Sequence, residues 1–547
     1  MKVMLDGKTV NIDSPVKVID LINNYDKRYL GCRINTKIRS LTDLIEEDSD
    51  IELLDLKKTD GIRIYQASLR FLVVLATKNV LPKAKITFSY SVSRSIFASV
   101  SNLGHALNVD TFNLIKNEVY RLIKEGIPIN HIQMSKSDVI KYYESMGYYD
   151  KIKNLKREKK DILDMYECQG YLNYMYTSLV PNTSYLTKFE LRQYAPGFLI
   201  IYPRSECNGE LPQFMDERSF RSALKEANRW VNIIKSESIP QMNEIIDGGK
   251  ALELINLCET RHNAQLTHLG DKIEDHIDNI KVICVAGPSS SGKTTFTNRL
   301  RIELESRGIE PFMISMDDFY KNSNYPLDEN GKPDYEHLEA LNLALFDETI
   351  LKLVSGEATK IPRFNFADKT ISFTDPVKLK HNHVILIEGI HGLNPNIIPS
   401  IPDEQKYRIY IAPLGQFRYD IHNPISISDL RLIRRIVRDK SFRNTDINKT
   451  IESWKSVRNG EFRWIYPFQN NADFVFNSEL SYEIPVLKGH IVPELEKISP
   501  DSQNYDTAIR LLKFLNYFSD ITDKWVPSNS ILREFIGDSI FYTKDKK

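Results

Sequence analysis

Residues 281–296 read KVICVAGPSSSGKTTF, and this stretch decides the fold of the C-terminal half of the chain. Its first part, VICVAG, is a nearly continuous apolar run, which is typical of a strand buried on both faces of a parallel sheet. The following GPSSSGKT matches GxxxxGK[ST], in which glycines let the backbone curl so that its N–H groups point at phosphate. The order strand, glycine-rich loop and helix therefore predicts a nucleotide-phosphate site.

Each part of this loop has a predicted task. We expect the Lys293 ammonium to lie at the β- and γ-phosphates of a nucleotide and the Thr294 hydroxyl to ligate Mg²⁺. The residues predicted to bind the nucleotide are Gly287, Pro288, Ser289, Ser290, Ser291, Gly292, Lys293, Thr294 and Thr295. Such a loop indicates nucleotide binding, but by itself it does not define a reaction.

Four more apolar runs, PFMISM, VILIEG, YRIYIA and FVFN, follow the loop, with helical patterns between most of them. This alternation predicts an α/β domain over residues 281–490, built as a doubly wound parallel sheet. Residues 206–280 have the pattern of a helical connector, and residues 491–547 that of a helical C-terminal extension. In such a sheet, ligands bind at the carboxyl ends of the strands.

Acidic residues stand where two of these strands end. Asp317 and Asp318 follow PFMISM, and Glu388 closes VILIEG. A phosphotransferase needs a group that orients the acceptor hydroxyl and takes its proton, and one of the two aspartates is placed for that role. Consecutive strand residues point to opposite faces, so only one is expected to face the phosphate. Glu388 is predicted to hold Mg²⁺ directly or through water.

The segment DLRLIRRIVRDKSFR, residues 429–443, carries six cations and two acids. Arg431, Arg434, Arg435 and Arg438 fall at helical spacing, so they share one face of a helix. An unpaired stripe of guanidinium groups suits the charge that develops on a transferred phosphoryl group. We therefore expect this helix to form a lid over the phosphate site.

Composition excludes several classes. The chain of 547 residues should form three or more domains, and its 73 basic and 73 acidic residues give no electrostatic sign of a nucleic-acid or membrane partner. Five scattered cysteines form neither a disulfide framework nor a zinc pattern. Without a signal peptide or membrane-length apolar run, a soluble cytoplasmic protein is expected. The charged run 151–160 is expected to be a solvated helix or loop rather than an RNA-binding patch.

Residues 281–480 carry six motifs, in the right order, that resemble the uridine kinase and phosphoribulokinase family. GPSSSGKTTF resembles its P-loop, SMDDFY its catalytic segment, PDYEHLEALN its ribose-binding stretch, PRFNFAD the segment along the nucleobase, and LIEGIHGL and RLIRRIVRD its Mg²⁺-linked strand and arginine lid. The resemblance implies ATP and Mg²⁺ as cofactors and a nucleoside or sugar as substrate. It makes Asp317 the general base.

The same resemblance implies further roles. Arg435 and Arg438 join Asp317 and Lys293 as catalytic residues, and Glu388 joins Thr294 at the metal. The implied substrate contacts are Tyr320, Glu336, His337, Phe364, Phe366 and Arg431. Glu336-His337 stands where the family usually has an Asp-His pair, which leaves the sugar or base open.

The N-terminal part carries a second resemblance. Residues 1–60, with a hairpin signal at Asp6-Gly7, resemble the β-grasp TGS domain of threonyl-tRNA synthetase, and residues 61–205 the α+β editing-type domain that follows it. Three of the four zinc-ligand positions of that domain hold Ala67, Phe71 and Leu172, while Cys168 remains. Zinc binding and hydrolytic editing are therefore not expected.

Three functions stay open at this point. The first is transfer of phosphate from ATP to the 5′-hydroxyl of a uridine- or cytidine-like nucleoside, and the second is a kinase of the same fold for another sugar or small alcohol. The third is a nucleotide-switched protein whose N-terminal half binds RNA, the ribosome or a nucleotide. An acceptor base and an arginine lid argue against a pure switch, and no Asn-Lys-x-Asp guanine motif is present. The oligomeric state is open.

Overall fold

The computed structural model of the protein describes residues 1–22, 26–89, 92–216, 218–328, 331–366, 368–380, 383–415 and 417–541. The last residues of the predicted C-terminal extension, 542–547, therefore lie outside the described part.

The chain begins with a small mixed sheet. Its strands are β1 (Lys2–Leu5), β2 (Lys8–Asn11), β3 (Val16–Lys17), β4 (Gly31–Ile34), β5 (Lys37–Arg39), β6 (Leu44–Ile45) and β7 (Ser49–Leu54). Five of them form a sheet in the order β2-β1-β7-β4-β5, in which β1 and β7 are parallel, and β3 pairs with β6. The hairpin predicted at Asp6-Gly7 is confirmed, since it joins the antiparallel strands β1 and β2.

A second α+β region follows. Its elements are α1 (Thr59–Val80), β8 (Lys85–Phe88), β9 (Ile96–Ser101), α2 (Val109–Glu125), β10 (Asn130–Ser135), α3 (Lys136–Met146), α4 (Tyr149–Arg157), β11 (Ile162–Cys168), β12 (Tyr171–Tyr174), β13 (Glu190–Tyr194) and β14 (Gly197–Ile201). The strands form two antiparallel sheets, β10-β11-β12 and β13-β14-β9-β8. Helix α1 is buried along most of its length in one core shared with the first sheet. The TGS and editing-type assignments of these regions stay predictions.

The remaining elements build the C-terminal half. They are α5 (Arg218–Ile233), α6 (Ile239–Asp247), α7 (Ala251–Glu274), β15 (Val282–Ala286), α8 (Lys293–Glu305), β16 (Glu310–Ser315), α9 (Leu343–Val354), β17 (Pro362–Asn365), β18 (Thr370–Phe373), β19 (His383–Glu388), β20 (Lys406–Ala412), β21 (Arg418–Asp420), β22 (Asn423–Pro424), α10 (Ile427–Arg443), α11 (Ile447–Trp464), β23 (Phe474–Asn477), α12 (Glu483–Leu495), α13 (Tyr505–Asn516) and α14 (Arg533–Ile536). Among the described residues, no helix is both long and apolar enough to span a membrane.

The sheet at the centre of this half is parallel, with strand order β16-β19-β15-β20-β23. All five apolar runs of the sequence form these strands, so the predicted α/β parallel sheet is confirmed. Strand β15 lies in the middle and is buried along its whole length. One core joins the connector helix α7, the loop helix α8, α10 and the C-terminal helices α13 and α14. The C-terminal extension is thus part of the wall around the phosphate loop.

One residue of the charged run 151–160, Lys151, is buried, although the run is expected to be solvated. Lys151 lies in α4, is 2% exposed, and its Nζ is 2.9 Å from Oδ1 of Asp420, which is 1% exposed. Asp420 comes from the β21–β22 hairpin of the C-terminal half and also accepts a hydrogen bond from the His422 N–H. The expectation was wrong for this residue because a buried partner, distant in sequence, compensates its charge.

We expect Asp420→Asn to destabilise the protein by about 3 kcal/mol, because it leaves the buried Lys151 ammonium without a counter-charge. The matched control is Glu244→Gln, which breaks the exposed ion pair of Lys153 on the same helix and should cost below about 1 kcal/mol. Urea denaturation of both variants and the parent measures the two losses. Equal losses would contradict the assignment of the Lys151 pair as an internal tie between the two halves.

Candidate active site

The phosphate loop lies between the end of β15 and the start of α8, as predicted. Gly292 has φ of +90°, a left-handed conformation that disfavours a side chain. A Cβ at Gly287 would lie 2.1 Å from the Ile411 carbonyl oxygen, so the neighbouring strand leaves room for glycine alone. Both glycines are therefore required by the tight path of the loop.

Two arginines of the stripe hold this loop from outside. The Arg431 Nε–H donates to the Ser289 carbonyl at 3.0 Å, and an Arg434 N–H donates to the Ser290 carbonyl at 3.3 Å. Both guanidinium groups are buried, Arg431 in an ion pair with Glu461 and Arg434 in one with Glu483. These contacts fix the loop backbone at Ser289 and Ser290 from the side of α10.

The expectation of an unpaired stripe is therefore wrong, and α10 is not a free lid. Its inward side packs in the core through Leu430, Ile433 and Val437. Arg431, predicted as a substrate contact, is committed to Glu461 and the loop backbone. Helical spacing placed the arginines on one face, but it could not show that acids from α11 and α12 lie opposite them.

The other two arginines of the stripe lie nearer the cleft, the space around which Lys293, Asp317, Glu336 and Arg435 lie close enough to affect each other's pKa. Arg435 donates to the Ser289 hydroxyl at 2.8 Å, and Arg438 lies 2.8 Å from the Asp439 carboxylate. Asp439 also lies 3.4 Å from Arg435 and 3.7 Å from Arg443. One buried carboxylate thus gathers three guanidinium groups beside the loop, a concentration of positive charge suited to phosphate oxygens.

Lys293, Thr294 and Glu388 meet at the centre of the site. In this structure the Lys293 ammonium folds onto the loop and donates to the Gly287 carbonyl at 2.9 Å. The Thr294 hydroxyl donates to Glu388 Oε1 at 3.4 Å. Burial and the nearby Asp317 carboxylate raise the pKa of Glu388 to about 7. Thr294 and Glu388, the two residues predicted to bind Mg²⁺, are therefore adjacent.

These groups fit a nucleotide-bound Mg²⁺. The second carboxylate oxygen of Glu388 is buried and has no hydrogen-bond partner among the described residues. Mg²⁺ bound with a nucleotide takes one or two protein oxygens and fills its other positions with phosphate oxygens and water. A hydroxyl and a carboxylate meet that need. No group of three or more His, Cys, Asp or Glu in the described ranges could hold a metal ion.

The two consecutive aspartates are separated by their environments. Both lie in a 3₁₀ turn, Met316–Phe319, directly after β16, so the strand alternation used to distinguish them does not apply. Asp318 forms an ion pair with Arg363 of β17. The Asp317 side chain is exposed toward the cleft, and protein surrounds it on its other sides. This surrounding protein raises the pKa of Asp317 by desolvation, while the positive charges of Lys293 and Arg443 lower it.

Aromatic rings form the wall beyond Asp317. The Tyr320 ring centroid lies 5.9 Å from that of Phe364 and 5.6 Å from that of Phe366. The Tyr320 hydroxyl donates to the Tyr335 carbonyl at 2.8 Å, which fixes its ring. Phe366 is 61% exposed, although it is a large apolar residue. The structure therefore brings the three predicted aromatic contacts together at one surface.

Glu336 and His337 line another side of the cleft. The His337 ring lies 4.5 Å from that of Trp464, and His391 lies 6.0 Å from the same tryptophan. Burial and the charge of Glu461 raise the pKa of Glu336 to about 7. A carboxyl group that is only partly ionised at neutral pH can both donate and accept a hydrogen bond.

Four functional neighbours were missed by the sequence reasoning. Arg363 neutralises Asp318, Arg443 acts on Asp317, and Glu461 accepts the Ser289 N–H at 3.1 Å. Glu534, from the C-terminal extension, accepts the Thr295 N–H at 3.0 Å. Arg363 and Arg443 stand in the quoted segments PRFNFAD and DLRLIRRIVRDKSFR, but those segments do not show which acids the two arginines meet. Glu461 and Glu534 stand in no motif, so the sequence carried no signal for their contacts.

In the N-terminal half, apolar packing fills the positions compared with zinc ligands. Ala67 and Phe71 are buried in α1, and the Phe71 ring lies 5.2 Å from that of Tyr171. Cys168 is buried at the end of β11, where desolvation raises the pKa of its thiol to about 11. Burial thus keeps this thiol in its neutral form.

Comparisons with known proteins cover the part of the chain that contains this site. Residues 282–484 match the model of the Phosphoribulokinase / Uridine kinase family. A uridine kinase of Staphylococcus aureus is 29% identical over 196 residues, which cover 36% of this chain and 86% of that protein. The C-terminal part of the chain therefore contains a P-loop kinase domain of the uridine kinase-like type. A domain of this type is a phosphotransferase.

One solved structure, a possible uridine kinase from Bacillus stearothermophilus, aligns with 39% of this chain and 98% of its own, at 19% identity and a TM-score of 0.27.

Proposed function

We propose that the protein transfers the γ-phosphoryl group of ATP to the 5′-hydroxyl of a uridine- or cytidine-like nucleoside. The observation that carries the proposal is the position of Asp317. It faces the cleft near Lys293, while its neighbour Asp318 is paired with Arg363. A free carboxylate beside the phosphate loop is the group that an acceptor hydroxyl requires.

In the proposed reaction Asp317 accepts the hydrogen bond, and then the proton, of the acceptor hydroxyl. Lys293, Arg435 and Arg438 supply positive charge where negative charge spreads over the transferred group. Mg²⁺, held by Thr294 and Glu388, would neutralise the phosphate oxygens. Because α10 is anchored in the core, this charge is set in place before the substrate arrives, which lowers the cost of reorganisation in the transition state.

The aromatic wall favours a nucleoside over a plain sugar. Tyr320, Phe364 and Phe366 bring three rings together, and the Phe366 ring is largely exposed to solvent. Exposed rings of this kind give a planar base a surface for stacking, which is worth about 1–3 kcal/mol for each base. A small alcohol gains little from such a surface.

A substrate panel tests the proposal. ADP release from ATP and Mg²⁺ is measured with uridine, cytidine, adenosine, ribose, fructose and glycerate as acceptors, and product position is read by mass spectrometry. We expect uridine or cytidine to give a kcat/KM about 5- to 140-fold above the sugars, the range to which stacking worth about 1–3 kcal/mol corresponds. Preference for a sugar, or phosphate on a position other than the 5′-oxygen, would contradict the proposal.

A further inference from the structure

The C-terminal segment Ser530–Ile536, which we name the C-terminal hook, lies directly on the phosphate loop. A Cβ built on Gly292 would come 2.4 Å from the Ile531 side chain, so hook and loop are in close contact. Ser530, Ile531, Leu532 and Phe535 are buried in the core of the C-terminal half. The Ser530 hydroxyl donates to Glu259 at 2.6 Å, and the Phe535 ring lies 5.1 Å from the Arg434 guanidinium. The hook backbone is therefore well anchored.

This anchoring places the Glu534 carboxylate at the N-terminus of α8. Its Oε2 accepts the Thr295 N–H at 3.0 Å. The N–H groups in the first turn of a helix have no partner within the helix, and together with the helix dipole they form an anion site. In a P-loop this anion is a nucleotide phosphate, so Glu534 stands where a phosphate oxygen would accept the same hydrogen.

Glu534 differs from the acids around the loop that are held in ion pairs. Asp318, Glu461 and Glu483 each have an arginine partner. Among the described residues, no cationic side chain forms an ion pair with Glu534, and its side chain is half-buried rather than enclosed. It also lies close enough to Lys293 and Glu388 to act on the pKa of both.

We propose that Glu534 is a displaceable internal occupant of the phosphate loop. The nucleotide must expel its carboxylate from the Thr295 N–H, because two anions cannot share one donor next to Asp317 and Glu388. The hook backbone stays in place while the Glu534 side chain turns toward solvent. This contact lowers the apparent affinity for every phosphate ligand, and it favours those that bring Mg²⁺ and several phosphate groups over single phosphates. The inference rests on the proposed ATP site.

The experiment is calorimetric titration of the full-length protein with ATP and Mg²⁺, comparing the parent with Glu534→Gln. Glutamine keeps the shape of the side chain but removes its charge. The substitution replaces the hydrogen bond from the Thr295 N–H to a charged carboxylate with a weaker one to a neutral amide. We therefore expect Glu534→Gln to lower the Kd for ATP about tenfold. Asp538→Asn removes an exposed carboxylate from the same terminal segment and should leave Kd unchanged.

Each outcome decides a different point. A lower Kd in Glu534→Gln alone supports the inference. An unchanged Kd, or weaker binding, overturns it, and weaker binding would make Glu534 a contributor to the nucleotide site instead. If neither the parent nor Glu534→Gln binds ATP with Mg²⁺, the proposed function fails and the inference fails with it. Binding by both proteins with equal Kd overturns the inference while the proposed function stands.

Discussion

Lys293→Ala is expected to lower kcat/KM for ATP-dependent phosphoryl transfer by about 10³-fold or more. The Lys293 ammonium contacts the Gly287 carbonyl and lies near Asp317, Glu388 and Glu534. Without it, these three carboxylates face the incoming polyphosphate, and repulsion replaces attraction. ADP release with saturating acceptor gives the rate, and a separate titration gives the ATP affinity.

The fold should survive this substitution, because the lysine serves the charge of the site and not the packing of the core. Lys352→Ala on α9 is the matched control, since among the described residues that side chain pairs only with an exposed neighbour one turn away, and it is far in sequence from the loop. It should leave both measurements unchanged. Undiminished ADP release by a well-folded Lys293→Ala protein would contradict the assignment of the loop as the ATP-binding site.

The second large effect is expected from Asp317→Asn. The substitution keeps the size of the side chain but removes the base, and loss of a general base typically costs about 10²–10⁴-fold in kcat. Asp317 is also close enough to Glu388 to raise its pKa, so ATP affinity must be measured separately. The expected result is a fall in kcat with little change in the Kd for ATP.

Asp318→Asn is the internal control for that experiment. Its carboxylate is paired with Arg363, on the side of the turn toward β17. Losing a partly exposed ion pair costs little, so the rate should stay within about tenfold of the parent. The reverse ranking of the two variants in kcat, with ATP binding unchanged, would show that Asp318 is the base.

Much of the C-terminal half could be predicted from local patterns. The five strands appeared as apolar runs because parallel strands are buried on both faces. The loop appeared as a motif because its function resides in the backbone, which only a fixed order of glycine, lysine and threonine permits. The carboxyl ends of the strands then located Asp317 and Glu388 near the loop.

Charge pairing could not be predicted in the same way. Arg431 meets Glu461 across 30 residues, and Lys151 meets Asp420 across 269 residues. Helical periodicity gave the face on which the arginines lie, but a free guanidinium and a paired one have the same spacing. The expectation of a lid, and that of a solvated Lys151, failed for this single reason.

The sequence by itself determined the parallel sheet, the phosphate loop and the kind of chemistry they serve, because backbone hydrogen bonding and the burial of apolar faces repeat at short, fixed periods. Only the tertiary structure decided which charges remain free for a ligand. The Thr295 N–H meets Glu534 across 239 residues, and no local pattern encodes that contact. Electrostatic interaction depends on separation in space and on burial, and both are set only when distant segments pack together.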